Sequence, residues 1–334
     1  MKTTLYQRLT ALAALAAVAL IAAFTGYGQP VTGKGPDVLI AGWDGNTSCY
    51  WLNGTQHDLP VTGEYGFANA IAVSGSNVHI VGYDGDSDEM ETPCYWVNGK
   101  QQALPVTGKY GGVSAIAVSG FNVYIAGSDG SWSDTRPCYW LNGVQQALPV
   151  TGEYGGASAI AVSGSNVYIA GSDEGKPCYW RNGAQTFLDI TGTSGQAAAI
   201  AVSGSDVHIA GWDGNTSGYW LNGEWQALPV GTSGWAAAIA VSGSDVYIAG
   251  GTKDIVDKTG VGTSRFTPCY WLNGVQHDLP ATERRGYANA IAVSGSDVYV
   301  AGVDGDTPGY WLNGEWHDLP LTGTEGSANA VVLR

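Results

Sequence analysis

Charge is in short supply. Only 13% of the 334 residues are charged, and Lys and Arg number 14 against 29 Asp and Glu, a formal net charge of −15. A chain this acidic repels polyanions, which disfavours nucleic acid and anionic membrane as ligands. Long apolar runs are also missing: after residue 24 there is none that could cross a bilayer. Methionine (2) and phenylalanine (5) are scarce, while Gly (50), Trp (13) and Tyr (18) are abundant. That balance describes a turn-rich, aromatic, β-type protein rather than a typical helical enzyme. An apolar content of 44% is ample for a core, which excludes disorder and collagen.

The N-terminal segment reads as an address. Residues 1–28 contain Lys2 and Arg8 but no acid, then the unbroken apolar run of residues 11–24, then Thr25, Gly26 and Gly28. This is the layout of a secretory signal peptide, and the run is shorter than the ~18 residues a membrane span needs. Ala-x-Ala is absent, so cleavage after Ala23 and after Gly28 both remain open. No Cys precedes Cys49, so nothing supports a lipid-modified N-terminus. The expected destination is the periplasm, the cell surface or the medium. Removing the segment leaves 12 basic and 29 acidic residues, a net charge of −17.

Internal repetition is the main signal beyond residue 36. The pair TyrTrp recurs with Trp51, Trp96, Trp140, Trp180, Trp220, Trp271 and Trp311, at separations of 45, 44, 40, 40, 51 and 40 residues. Units of that length with four strand-like pieces predict propeller blades rather than helical solenoids. The fourth unit shows the pieces at residues 159–162, 166–170, 178–181 and 186–190. SerGlySer separates the first two. AsnGly separates the last two in every unit, from Asn53 and Gly54 to Asn313 and Gly314. A type I′ turn needs positive φ at both central residues, which Asn and Gly supply at little cost, so each unit is an antiparallel meander ending in a tight hairpin.

The two ends predict how the ring closes. The first unit lacks its AlaIleAlaVal piece and starts at residues 37–42, whereas the chain stops just after residues 329–333, AsnAlaValValLeu. Pairing that last strand with the first unit would complete a seven-bladed, all-β propeller over residues 37–334 with no radial sheet edge exposed. A monomer is expected.

In layout the unit is similar to a WD-repeat blade, as in AlaIleAlaValSerGly, residues 124–130 and TyrTrpLeuAsnGly, but the GlyHis and TrpAsp signatures and the kelch pattern are missing. It more closely resembles secreted bacterial repeat proteins, HAF-type extracellular repeats among them, whose unit is aromatic-Trp-x-Asn-Gly-x-x-x-Asp-Leu followed by a Gly-rich segment and an Ala-Ile strand. Residues 50–59, TyrTrpLeuAsnGlyThrGlnHisAspLeu, match it well, and the likeness covers about residues 37–334. The resemblance implies a secreted propeller and no particular activity.

In a meander the SerGly and AsnGly turns share one rim, and the longer connections share the other. That second rim varies in length, from residues 173–177 to residues 251–268, so binding is expected there. Catalysis would require groups that break the sevenfold pattern, and neither His nor Cys does so. His57, His277 and His317 fill one repeat position, and His79 and His208 replace a strand Tyr. Cys49, Cys94, Cys138, Cys178 and Cys269 fill another, which is Gly218 and Gly309 in the remaining units; buried thiols are expected.

Three candidate sites remain. Asp84, Asp86 and Asp88 are spaced like the start of a calcium loop, the only cofactor suggested, although an Asp bonding its own turn backbone explains the spacing better. Tyr65, Tyr110, Tyr154, Trp235 and Tyr287 recur in the connections between units, and Trp132 stands in an irregular loop; flat rings there suit sugars. Lys253, Lys258, Arg265, Arg284 and Arg285 gather in the sixth unit, where Arg can hold a carboxylate or sulfate bidentately, with Asp254, Asp257 and Glu283 as charge balance. The resulting expectation is a non-enzymatic binding scaffold with an extracellular protein or glycan as partner. A multivalent lectin is the first alternative. A glycan-processing enzyme is the second, and it would need carboxylates that the innermost strands lack.

Overall fold

A computed structural model describes residues 35–86, 92–131, 134–214, 216–230, 233–255 and 264–334, apart from the side chains of Tyr110 and Ile255. The signal-peptide segment, Asp88, Trp132, Asp257, Lys258 and the Tyr110 side chain lie outside the described residues. The described strands form seven four-stranded antiparallel sheets, arranged as the blades of a closed propeller. Blades are numbered by their TyrTrp pairs, from Trp51 in blade 1 to Trp311 in blade 7. Among the described residues, no helix is long and apolar enough to cross a membrane.

Closure follows the sequence expectation. Strand Gly326–Leu333 pairs antiparallel with Val38–Asp44, from Val38 opposite Leu333 to Asp44 opposite Gly326. Backbone bonds between Asp37 and Arg334 and an ion pair of 3.2 Å between their side chains fasten the seam. The AsnGly turns are as expected too: all seven Asn have φ of 49–53° and are followed by Gly with positive φ. Each Asn does a second job. Its Oδ1 accepts the N–H at the start of the neighbouring second strand, as Asn98 does from Val78 at 2.9 Å, which ties the two tight turns of a blade together on one rim.

Two repeated contacts hold a blade to the one before it, the first in all seven blades and the second in six. The seven TyrTrp tryptophans are 0% exposed. Each donates its indole N–H to a backbone carbonyl in the incoming connection, at 2.8–3.4 Å, as Trp96 does to Pro60. Burying so large a side chain supplies apolar stabilisation, and the hydrogen bond satisfies its only polar atom.

The second contact is the Asp that ends the second strand. Both oxygens of Asp84 are engaged, by the N–H and hydroxyl of Thr62, the N–H of Gly63 and the side-chain amide of Gln101, at 2.7–2.8 Å. Asp44, Asp129, Asp173, Asp213 and Asp304 clamp the equivalent Thr in the same way. These aspartates were expected to bond their own turn. The AspGly dipeptide carries no sign of a partner 22 residues upstream, so only the fold brings the two together.

The Cys position also gains its explanation. All five cysteines are free and buried. In five blades the Cys lies beside a Gln of the outermost strand; Gln145 and Gln185 reach the thiol sulfur at 3.5 and 3.6 Å. In blades 5 and 7 that Gln is Trp225 or Trp316, and the Cys is Gly218 or Gly309. A Cβ on Gly309 would lie 2.4 Å from the ring of Trp316, and one on Gly218 would lie 2.7 Å from the ring of Trp225. Cys with Gln and Gly with Trp are therefore two solutions to filling one space.

Candidate functional site

Blade 6 departs furthest from the repeat. From the buried Leu to the Gly that opens the innermost strand, the other connections advance seven positions, as from Leu188 to Gly195, but the one into blade 6 advances six, from Leu228 to Gly234. Thr252 stands where all six other blades have the clamping Asp at the same register, and the indole bond of Trp271 is the longest of the seven at 3.4 Å. The backbone N–H of Lys253 still bonds to the carbonyl of Ser233, the same bond that Gly214 makes to Ser194 and Gly305 to Arg285 in other blades. The middle hairpin of this blade then runs on, pairing Lys253 with Phe266, Asp254 with Arg265 and Ile255 with Ser264.

That extension reaches the next connection. The N–H of Phe266 donates to the carbonyl of Arg284 at 2.9 Å, and Phe266 forms a parallel bridge with Arg285. Arg265, Arg284 and Arg285, separated by up to 20 positions in the chain, thereby come to one place, all three with exposed side chains. The rings assemble beside them. Trp235 lies over Gly251, where a Cβ would sit 2.4 Å from the indole. Its ring centroid is 5.5 Å from Tyr287 and 6.0 Å from Phe266, and the latter two are 5.4 Å apart. The Lys253 ammonium stands 5.6 Å from the centre of the Phe266 ring, a cation–π contact. Burial pushes the Tyr287 phenol upward in pKa, and the nearby Arg285 charge opposes that shift. A surface cavity of about 280 Å³ shares Arg265 with this group and is otherwise lined by residues including Thr267, Pro280, Asp304 and Trp316.

The aromatic residues expected to form one set occupy two positions. Tyr65, Tyr110 and Tyr154 precede the Gly that opens the innermost strand, whereas Trp235 and Tyr287 follow it. Tyr65 packs on Phe67 at 5.6 Å, and Phe67 meets Trp43 edge-on at 5.5 Å, so this second cluster fills the junction of blades 1 and 2. Tyr154 is 56% exposed. The structure thus brings Trp235 and Tyr287 together with the three arginines and leaves Tyr65 and Tyr154 elsewhere. Sequence reasoning missed Phe266 and Lys253 as ring partners. Their signal was the alternation of Phe266 with Arg265 on a strand longer than its counterparts.

The acidic candidates have other partners. The Asp84 oxygens are taken by four donors, and Asp86 accepts the N–H of Glu64 at 2.9 Å. Among the described residues, no group of three or more His, Cys, Asp or Glu is arranged to hold a metal ion. The histidines sit in local packing. His57, His277 and His317 stack on Tyr50, Tyr270 and Tyr310 at 4.8–4.9 Å, while His79 and His208 are buried, which lowers their pKa. Burial pushes the thiols of Cys138 and Cys178 up to about 12 and raises Cys49, Cys94 and Cys269 further, so none is a thiolate nucleophile at neutral pH.

No protein-family model matches the chain, and no curated protein sequence does. Among solved structures, a puromycin-hydrolyzing peptidase of Mycobacterium tuberculosis aligns with a TM-score of 0.49 and 14% identity, covering 75% of this chain and 45% of its own. Apo AztD from Citrobacter koseri aligns with a TM-score of 0.44 and 12% identity, covering 90% of this chain and 98% of its own. This chain therefore spans less than half the length of the first.

Proposed function

We propose that this protein is an exported, non-enzymatic recognition propeller, of the kind of the secreted Tyr-Trp-x-Asn-Gly repeat proteins, and that it binds its partner at the junction of blades 6 and 7. One observation carries the reading: three exposed arginines and three aromatic rings from separate stretches of sequence converge where the sevenfold pattern breaks. Repeated positions maintain the ring, whereas a specific partner calls for one particular constellation on a rigid support. The separation of the aromatics into two positions favours a single dominant site over a ring of equivalent ones.

The test is an array of neutral and acidic glycans and peptides, probed with the wild-type protein, with R265A/R284A/R285A, and with F121S, which alters a fully exposed ring on the opposite rim. Binding abolished by the triple change and untouched by F121S supports the site. Binding that survives the triple change, or silence throughout, overturns it.

A further inference from the structure

Resting on the reading that recognition is seated where blades 6 and 7 meet, we infer that the cavity of about 280 Å³ at that junction takes one uncharged sugar ring, the terminal residue of a neutral glycan. Neither the three clustered rings nor Arg284 and Arg285 line it. Two departures from the repeat coincide there. On the blade 6 side, the lengthened hairpin sets Arg265 two residues beyond Thr267, at a level that the blade 4 hairpin, which turns back after Asp173 opposite Lys176, does not reach. On the blade 7 side, Trp316 replaces a Gln. In blades 1 to 4 that Gln donates its amide to the clamping Asp, at 2.7–3.1 Å. Asp304 keeps the donors of its own connection, the N–H and hydroxyl of Thr282 at 2.7 and 2.8 Å and the N–H of Glu283 at 2.9 Å, and has Trp316 where the amide would be. The Trp316 indole N–H donates to Asp318 instead, at 2.6 Å. Asp304 is therefore a carboxylate only 7% exposed that lines a cavity with one acceptor position open. Such a group favours a ligand that donates to it.

Charge selects a neutral ligand. Of the described residues that line the cavity, two are charged, Arg265 and Asp304, one of each sign. A carboxylate or sulfate drawn to Arg265 would face Asp304, and an ammonium drawn to Asp304 would face Arg265; like charges brought together in this way are strongly unfavourable. The single open position on Asp304 also suits a hydroxyl, which has one hydrogen to place, better than an ammonium with three. Trp316, Pro280, Ala281 and Leu279 make the remaining wall largely apolar. A ring that carries adjacent hydroxyls on carbon meets all of these demands: one hydroxyl donates to Asp304, a neighbouring one accepts from Arg265, and the C–H groups rest on the apolar wall. The volume lies at the small end of ligand sites, which fits one ring rather than a chain of them.

Ligand-observed NMR titration tests this with the methyl glycosides of glucose, galactose, mannose and N-acetylglucosamine and with the matching uronic acids and 2-amino sugars, each against the wild type, R265A, W316Q and W225Q. W316Q returns to Asp304 the amide that its counterparts have in four blades and removes the ring. W225Q makes the same exchange in blade 5, where the preceding hairpin has no counterpart of Arg265. The expected result is binding of at least one neutral glycoside, at least tenfold weaker binding of its charged counterparts, a loss of at least tenfold in R265A and W316Q, and wild-type affinity in W225Q. R265A changes an exposed side chain, so it decides the matter if W316Q unfolds. A charged sugar held as tightly as the neutral one, equal binding by W316Q and W225Q, or no binding of any neutral glycoside overturns the inference. Silence of the glycosides beside array binding that R265A/R284A/R285A abolishes overturns the cavity alone; the same silence beside array binding that survives the triple change overturns the recognition site as well.

Discussion

Replacing Gly309 with Cys would put into blade 7 the residue that five other blades carry, so tolerance would be the naive expectation. The geometry argues otherwise. The new Cβ would lie 2.4 Å from two ring carbons of Trp316 and 2.6 Å from the carbonyl oxygen of His317, closer than any real Cβ contact. Overpacking of this kind costs about 1–3 kcal/mol, and a value near the middle, about 2, is expected. Trp316→Gln alone removes a half-buried ring and leaves Gly309 facing a gap. That should cost about 2 kcal/mol, roughly half the loss on truncating a fully buried Trp. The double variant restores the pair found in the other blades. It should lose only about 1 kcal/mol, because the outermost strand must still withdraw slightly from the new side chain. The coupling is therefore about 3 kcal/mol, at the upper end of values for touching residues. Urea denaturation of the four proteins, fitted together, measures it. A double variant whose loss equals the sum of the two singles within about 0.5 kcal/mol would refute the claim that the two residues share one space.

Four further outcomes are expected. Asp84→Ala leaves the donors of Thr62, Gly63 and Gln101 without their buried acceptor and should cost about 3 kcal/mol in urea unfolding; a loss under about 1 would mean the clamp is dispensable. Burial opposes the charged form of Asp44, Asp84, Asp129, Asp173 and Asp213, but the Thr and Gly donors, joined by a Gln in every case but Asp213, outweigh it and hold these carboxyls below the ordinary value of 3.8. Folded pKa values below unfolded ones mean that this stability is fully present above about pH 5 and drains away as pH falls through and below 3.8; a urea midpoint unchanged from pH 5 to pH 2.5 would contradict it. The five buried thiols should resist a thiol reagent at pH 8 in the native protein and all react after denaturation; rapid native labelling would refute their burial. Ending the chain after Glu325 removes the strand that pairs with Val38–Asp44 and should abolish the cooperative monomeric fold, as seen by circular dichroism and light scattering; a stable monomer would show that closure is not essential.

Periodicity made the architecture legible because every blade solves the same packing problem. The Asn and Gly of the hairpin have a backbone requirement that is written into the residue types themselves, and one strand piece missing from the first unit with one extra piece at the C-terminal end indicated how to close the ring. The buried thiols could be read from a single position shared by five cysteines. What the sequence on its own determined was therefore local conformation and its repetition. The clamp from Asp84 to Thr62, the exchange of Cys and Gln for Gly and Trp, and the meeting of Phe266 with Arg284 and Arg285 were decided only by tertiary structure. Each joins residues whose partner is set by which blade packs against which connection, and no periodic pattern encodes that spacing. The rings at 65, 154, 235 and 287 look like one series along the chain. Only the fold shows that the Gly at the start of the innermost strand divides them and that the lengthened hairpin of blade 6 gathers two of them around the arginines.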